Sequence, residues 1–203
     1  MFSQFRKRSA ACLSFVAATE CSKARSVQNS PSPLPRESPR KEEAQGKGEH
    51  GSGSHIAQFA RPSADTNNVD AYTDQAAGST NIYLTIDEVT ESDADYIRTV
   101  TSPSNDVMVV KLSNVTDPVS SVNHVMRVAT AVDLAAQESI NFQVTLNQGY
   151  VSEVSQGTVI ATLTRNGVTS TTFTVTTYTL SGAEADAITD YTALYYRILI
   201  NKP

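Results

Sequence analysis

The sequence predicts an all-β protein. It reads as an antiparallel β-sandwich of jelly-roll-like topology with one short helical turn, preceded by an extended N-terminal arm. Three observations carry this. The chain changes character near residue 60, from a basic segment rich in Pro, Ser and Gly to a continuous series of apolar alternations. Thr, Val, Ser and Ala dominate residues 61–203, a composition that suits pleated strands. Turn signals punctuate the apolar runs and divide them into seven or eight strands, the pattern of a sandwich.

The strands follow in order. Asn81 to Ile86 places Ile82, Leu84 and Ile86 on one face. Tyr96 to Thr101 is a short second strand. Val107 to Val115 turns Met108, Val110 and Leu112 inward. Asp117-Pro118-Val-Ser-Ser forms a turn, because Pro presets φ while Asp and Ser bond locally. Asn123 to Val132 is the next strand. Ser139 to Asn147 alternates most cleanly, with Ile140, Phe142, Val144 and Leu146 inward and Asn141, Gln143, Thr145 and Asn147 outward. Gly157 to Arg165 and Ser170 to Leu180 flank Asn166-Gly167, a hairpin signal. The pattern shifts phase between Val175 and Tyr178, which indicates a bulge. The last strand, Ala193 to Ile200, buries Leu194, Tyr196, Ile198 and Ile200. Before it, Ser181-Gly-Ala-Glu184 is a capping box that starts one helical turn, with Ala185, Ala187 and Ile188 as its apolar face. This turn is expected to plug one end of the sandwich.

Residues 1–60 have too few large apolar residues to build a core. Ser30-Pro-Ser-Pro-Leu-Pro35 favours extended polyproline conformation. Arg36 to Lys47 is a mixed-charge run, and Gly51-Ser-Gly-Ser54 is a linker. Such a tract orders only across another surface. Its start carries the candidate anchor: Phe2, Phe5, Arg6, Lys7, Arg8, Leu13, Phe15 and Val16. The first 22 residues admit three readings: a cleaved signal peptide, a segment that docks on a partner, or an upstream extension without a role. The absence of a small-x-small site before Thr19-Glu20-Cys21 weighs against the first. No stretch approaches the ~20 apolar residues of a membrane span.

Charge divides as composition does. The net charge of -5 combines nine Lys/Arg and five Asp/Glu in residues 1–60 with seven Lys/Arg and sixteen Asp/Glu in residues 61–203. The acidic body argues against nucleic-acid binding, because phosphate contacts need a cationic face. Both cysteines, Cys12 and Cys21, lie in the arm, so the sandwich must be stable without disulfides. Their spacing, with no His or Cys nearby, matches no zinc pattern.

Five phrases resemble a known group: Arg61-Pro-Ser-Ala-Asp65; Ile86-Asp-Glu88 with Asp93-Ala-Asp-Tyr-Ile97; Leu112-Ser-Asn-Val-Thr-Asp-Pro118 with Ser120-Ser-Val-Asn-His-Val125; Gly157-Thr-Val-Ile-Ala-Thr162; and Leu180-Ser-Gly-Ala-Glu-Ala-Asp-Ala-Ile-Thr-Asp-Tyr191. Together they are similar to a widespread, largely uncharacterised family of small β-sandwich proteins encoded by tailed bacteriophages and prophages. The resemblance covers residues 61–203. It implies a virion-associated structural protein, located in the virion as a capsid decoration or head-fibre protein, with other capsid or tail proteins as partners and a homo-oligomer as a further option. It carries no active site. Many members have a Trp soon after the Arg-Pro-x-x-Asp start, where this chain has Tyr72, and residues 1–60 have no counterpart in the family.

The candidate chemistry is sparse. Asp87, Glu88, Glu91, Asp93 and Asp95 form an acidic loop, but the glycine and terminal Glu of a calcium loop are missing. A solvated acidic loop is expected, with no metal and no cofactor. His124 is the one histidine of residues 61–203 and reads as structural. The serines and threonines lack a nucleophile elbow or triad spacing, so no enzyme activity is expected. Asn114-Val-Thr116 is a formal glycosylation sequon. Tyr178, Tyr191, Tyr195 and Tyr196 offer either a sugar platform or core and interface contacts. The alternative function is therefore a carbohydrate- or receptor-binding module of a phage tail or fibre, with a cell-surface glycan as ligand.

Overall fold

Alternating apolar residues set where each sheet meets the core. The computed structural model describes residues 57–68, 72–88, 92–99, 103–132 and 139–203, together with the backbone of two short strands at 11–15 and 18–19. One antiparallel sheet contains β1 (Ala11–Phe15), β2 (Ala18–Thr19), β4 (Thr73–Asp74), β5 (Ile97–Arg98), β7 (His124–Val132) and β10 (Thr174–Thr179). Its order is β10-β7-β1-β5-β4, with β2 also paired to β7. The other contains β3 (Pro62–Asn68), β6 (Asp106–Leu112), β8 (Ile140–Gln148), β9 (Thr158–Val168) and β11 (Leu194–Asn201), in the order β3-β6-β11-β8-β9. All pairings are antiparallel.

The core lies between the sheets. Met108, Val110, Phe142, Val144, Tyr196 and Ile198 of the second sheet join Ile97, Met126, Val128 and Val132 of the first in one cluster. The apolar residues expected inward on β6, β8 and β11 are all buried, but Thr145 and Asn147 of β8, expected outward, are buried as well, Asn147 Nδ2 donating to the Gln156 carbonyl at 3.0 Å. Leu194, Tyr196, Ile198 and Ile200 are buried, while Tyr195, Arg197 and Leu199 between them are only partly so. Strand β11 is central, paired to β6 on one side and β8 on the other.

The second sheet is also covered on its outer face. Val107 and Val109 are buried against Tyr150, Tyr195 and Leu199. The cover is the β8–β9 loop, where Glu153 accepts from Tyr150 Oη at 2.9 Å and pairs with Arg197 at 2.9 Å. Asn67 Nδ2 of β3 donates to Tyr150 Oη at 3.2 Å. This polar cross-link lets β6 bury side chains on both faces.

The capping box forms as expected. Ser181 Oγ accepts from the Glu184 amide, and Glu184 accepts from the Ser181 amide at 2.7 Å. It starts α1 (Gly182–Asp186), and Ala185, Ile188 and Leu180 close one end of the core.

Three expectations are corrected. Residues 81–86 are not a strand: Ile82–Thr85 is a 3-10 turn. Asp65 causes this by accepting from the Ile82 and Tyr83 amides, both at 2.9 Å, while Asn81 takes a left-handed φ of 54°. Ile82 and Ile86 are still buried, and Leu84 is exposed. Second, Asn166-Gly167 does not join two paired strands. It lies inside β9, where the register with β8 shifts between Ile140–Val168 and Phe142–Arg165. Gly167 takes φ 67° and donates its amide to Asn141 Oδ1 at 2.9 Å. The pair forms a bulge, which the same left-handed preference supports, and β10 crosses to the other sheet. Third, β10 pairs with β7 in unbroken register from Thr174 to Thr179, so no bulge lies between Val175 and Tyr178.

Three further differences concern extent. Strands β1 and β2 come from the segment expected to precede the sandwich as an arm, and β1 is internal to the first sheet. Strand β3 is polar in sequence and escapes an apolar alternation. It is an edge strand that begins with Pro62, a position that tolerates a missing amide. Of the second expected strand, β5 covers Ile97–Arg98, and residues 100–102 lie outside those described.

Candidate functional site

One end of the sandwich carries a groove of about 520 Å³ between the β6–β7 loop and the segment after α1. Local polar bonds shape both walls. On one side, Gln58 acts as a surrogate strand: its Oε1 accepts from the Thr116 amide at 2.7 Å and its Nε2 donates to the Thr116 carbonyl at 3.0 Å. Asp117 Oδ1 then accepts from the Val119 amide at 2.7 Å, closing the expected turn. Val119 takes φ 51°, a strained value for a β-branched residue.

On the other side, Gln148 Oε1 accepts from the Thr189 and Asp190 amides at 2.8 and 2.9 Å, and Nε2 donates to Thr189 Oγ1 at 2.8 Å. Asp190 Oδ1 accepts from both the amide and the hydroxyl of Thr192. Those bonds hold the Asp190 carboxyl below the usual carboxylate range.

The groove is lined by Asp, Asn, Gln and Thr residues together with Val115 and Tyr191, with no Lys, Arg or His among its lining residues. Its chemistry suits a neutral or cationic hydrogen-bonding ligand and repels anions. The sequon residues Asn114 and Thr116 stand exposed on its rim.

Under the groove, His124 and Tyr191 meet in the core. His124 Nε2 lies 2.7 Å from Tyr191 Oη, and both residues are buried. Burial pushes the imidazole below its ordinary value, and the Val122 backbone opposes this. Leu180, Ile188, Leu194 and Met126 surround a small apolar cavity beside the pair. His124 is thus a core residue with a tyrosine partner, as its sequence position suggests.

The acidic loop spans two described stretches. Glu88 is partly buried, and burial raises its carboxyl above the usual range, with smaller contributions from Asp95 and Asp87. Asp95 instead accepts from Gln75 Nε2 at 3.3 Å. Glu91 lies outside the described residues. Among the described residues, no three His, Cys, Asp or Glu side chains come together as a metal site.

The four tyrosines do not share a surface. Tyr196 is in the core, and desolvation raises its phenol. Tyr195 points to the opposite face and packs at a tilt against Tyr150, the ring centroids 5.8 Å apart. Tyr178 donates to Glu184 Oε1 at 2.7 Å, and Tyr191 pairs with His124. The sugar platform built from them is therefore not present, and the contacts that exist are those of core and interface residues.

Of the candidate anchor, Leu13 and Phe15 belong to β1. Phe2, Phe5, Arg6, Lys7, Arg8 and Val16 lie outside the described residues. Among the described residues, no helix is long and apolar enough to cross a membrane.

The groove itself is not legible in the sequence, because its walls come from residues 58, 114–117 and 189–192. The one available signal is the density of Asn, Asp and Thr in Asn114–Asp117 and Thr189–Thr192. Comparison with protein-family models, with curated proteins and with solved structures gives no match.

Proposed function

We propose that this protein is a virion-associated structural protein of a tailed bacteriophage, a capsid decoration or head-fibre protein held by its N-terminal segment. One observation carries the reading most: the charge split. Strand β1 is bonded between β7 and β5 of its own chain, which leaves the residues before it for a partner. The basic first 60 residues complement an acidic shell, whereas the acidic body is repelled by one. The resemblance of residues 61–203 to phage sandwich proteins points the same way. No catalytic role is proposed, since the buried histidine is held by a tyrosine in apolar surroundings.

The test replaces Phe2 and Phe5 with Ser, and Arg6, Lys7 and Arg8 with Gln, in the full chain. These positions precede β1. Particles assembled with the variant should carry less than a tenth of the wild-type copies, with the soluble protein still folded. Full occupancy by the variant would remove the N-terminal anchor from the proposal. Loss that deepens with salt would assign attachment to the cations.

The groove favours a second reading, a carbohydrate-binding module. Its carboxylates, amides and hydroxyls are the groups that bond neutral sugars, and the cation-free lining disfavours acidic ones. An NMR titration with neutral oligosaccharides of the host envelope should shift the Asn114–Asp117 and Thr189–Thr192 amides. Shifts spread elsewhere, or none at millimolar sugar, would end this reading.

A further inference from the structure

We propose that Asn166 is a modification site: it deamidates through the backbone nitrogen of Gly167, and Asn141 sets the rate by holding that nitrogen in a hydrogen bond. The pair is the one Asn-Gly step in the chain. Both residues are exposed and lie in the β9 bulge, opposite Asn141 of β8. Glycine matters here because it has no Cβ to shield its own nitrogen. Nothing lies within 4 Å of the place a Cβ would occupy, so water reaches the site. Asn114 is also exposed, but it precedes Val115, whose branched side chain crowds the corresponding nitrogen.

The reaction needs only water and hydroxide. The Gly167 N–H gives its proton to hydroxide, and the nitrogen attacks the Asn166 side-chain carbonyl carbon. A C–N bond forms and closes a succinimide ring. The bond from that carbon to the side-chain nitrogen breaks, and ammonia leaves with a proton from water, which restores the hydroxide. Water then opens the ring at either carbonyl, giving Asp or isoaspartate, so that one water enters and one ammonia departs. Asn141 acts on the first step. The Gly167 amide donates to Asn141 Oδ1 at 2.9 Å, and the N–H must leave this acceptor before it meets hydroxide. Both products place a carboxylate next in sequence to Arg165. Arg165 Nη1 donates to Thr130 Oγ1 of β7 at 2.9 Å and to the Thr174 carbonyl of β10 at 3.2 Å, linking β9 to the other sheet. The new charge competes for that guanidinium, and isoaspartate also lengthens the strand by a methylene. Modification therefore loosens the seam between the sheets at this edge.

The test follows the full chain in mildly alkaline buffer, folded and in urea, with deamidation and isoaspartate located by peptide mass spectrometry. Wild type, Asn141→Ala and Asn141→Asp are compared. In folded wild type, product should accumulate at Asn166 ahead of Asn114, and more slowly than at Asn166 in urea. Asn141→Ala should raise the folded rate at Asn166 about fivefold, the factor that a bond worth about 1 kcal/mol corresponds to. Asn141→Asp keeps an acceptor and should hold the rate at or below that of wild type. The deamidated fraction, separated by its added charge, should melt below the parent.

Reaction at Asn166 in urea with none in the folded protein would refute the site. Equal rates at Asn166 in folded wild type and Asn141→Ala would refute control by Asn141. A rise in Asn141→Ala that appears equally at Asn114 would report general loosening of the fold and overturn the assignment to this bond. Should the alanine variant fail to fold, a rate in Asn141→Asp above that of wild type refutes the same point. Equal melting of the deamidated and parent fractions would refute the loosened seam.

Discussion

Glu153 and Arg197 form an ion pair at 2.9 Å that fastens the β8–β9 loop to the outer face of the second sheet. Arg197 also donates through Nε to the same carboxylate oxygen at 3.0 Å. The Arg197 side chain is 14% exposed, so losing its partner strands a largely buried charge. Glu153→Ala should therefore lower stability by about 1–3 kcal/mol in urea unfolding. Glu153→Gln keeps an acceptor for the Tyr150 hydroxyl and should cost less than the alanine change. Equal costs, or a cost under about 0.5 kcal/mol for alanine, would mean that the loop is held by Tyr150 packing instead.

His124 makes stability depend on pH in a defined window. Burial lowers its folded-state value below that of the unfolded chain. Below pH ~6.5 the unfolded chain therefore binds the extra proton first. Stability is fully present above that pH and declines as pH falls through the window toward the folded value. Melting curves between pH 7 and 5 should show this decline, and His124→Gln should flatten it. A parallel decline in both proteins would assign the effect to other groups.

Phe142 is 1% exposed and sits mid-strand in β8 against β11 and β9. Phe142→Ala should destabilise by about 3–5 kcal/mol. Asn141→Ala, on the other face of the same strand, removes only the acceptor for the Gly167 amide and should cost about 1 kcal/mol. Chemical denaturation that ranks the two the other way would reverse the faces of β8.

Gly157 ends the β8–β9 loop at φ 70°, and a Cβ there would run into the Gln148 carbonyl and lie 2.7 Å from Gly149. Those atoms are backbone and cannot rotate away. Gly157→Ala should cost at least ~2 kcal/mol. Gly149→Ala is the comparison: φ is 73°, but nothing lies within 4 Å of its added Cβ. It should cost about 1 kcal/mol, the conformational part alone. Equal melting temperatures for the two variants would contradict the close approach.

The legible part of the fold is the part written in side-chain periodicity. Met108, Val110 and Leu112, the alternation of β8 and the final strand all fall on the inner faces, because a half-buried strand needs that pattern. The capping box was legible because its two bonds are local, from Ser181 to Glu184. Less was legible where a distant residue decides. Ile82, Leu84 and Ile86 alternate like a strand, yet Asp65 draws two amides of that segment into a 3-10 turn. Asn166-Gly167 needs left-handed backbone, which a hairpin turn and a bulge supply equally well, and only the pairing partner separates them. Strand β3 has no apolar alternation and is placed by its ladder with β6. Leu13 and Phe15 stand in a strand whose pairing partners begin more than 80 residues away. The groove was illegible for the same reason, since its walls are remote in sequence.

The central claim is that the protein is a fixed component of a virus particle. Particles assembled in cells that express the protein should be purified by density gradient, washed in high salt and quantified by mass spectrometry against the major capsid protein. The account predicts a constant ratio from one preparation to the next, one that matches the copy number of a repeated shell or fibre position and survives the wash. Absence from the particles, or traces that vary between preparations and wash away, would contradict it.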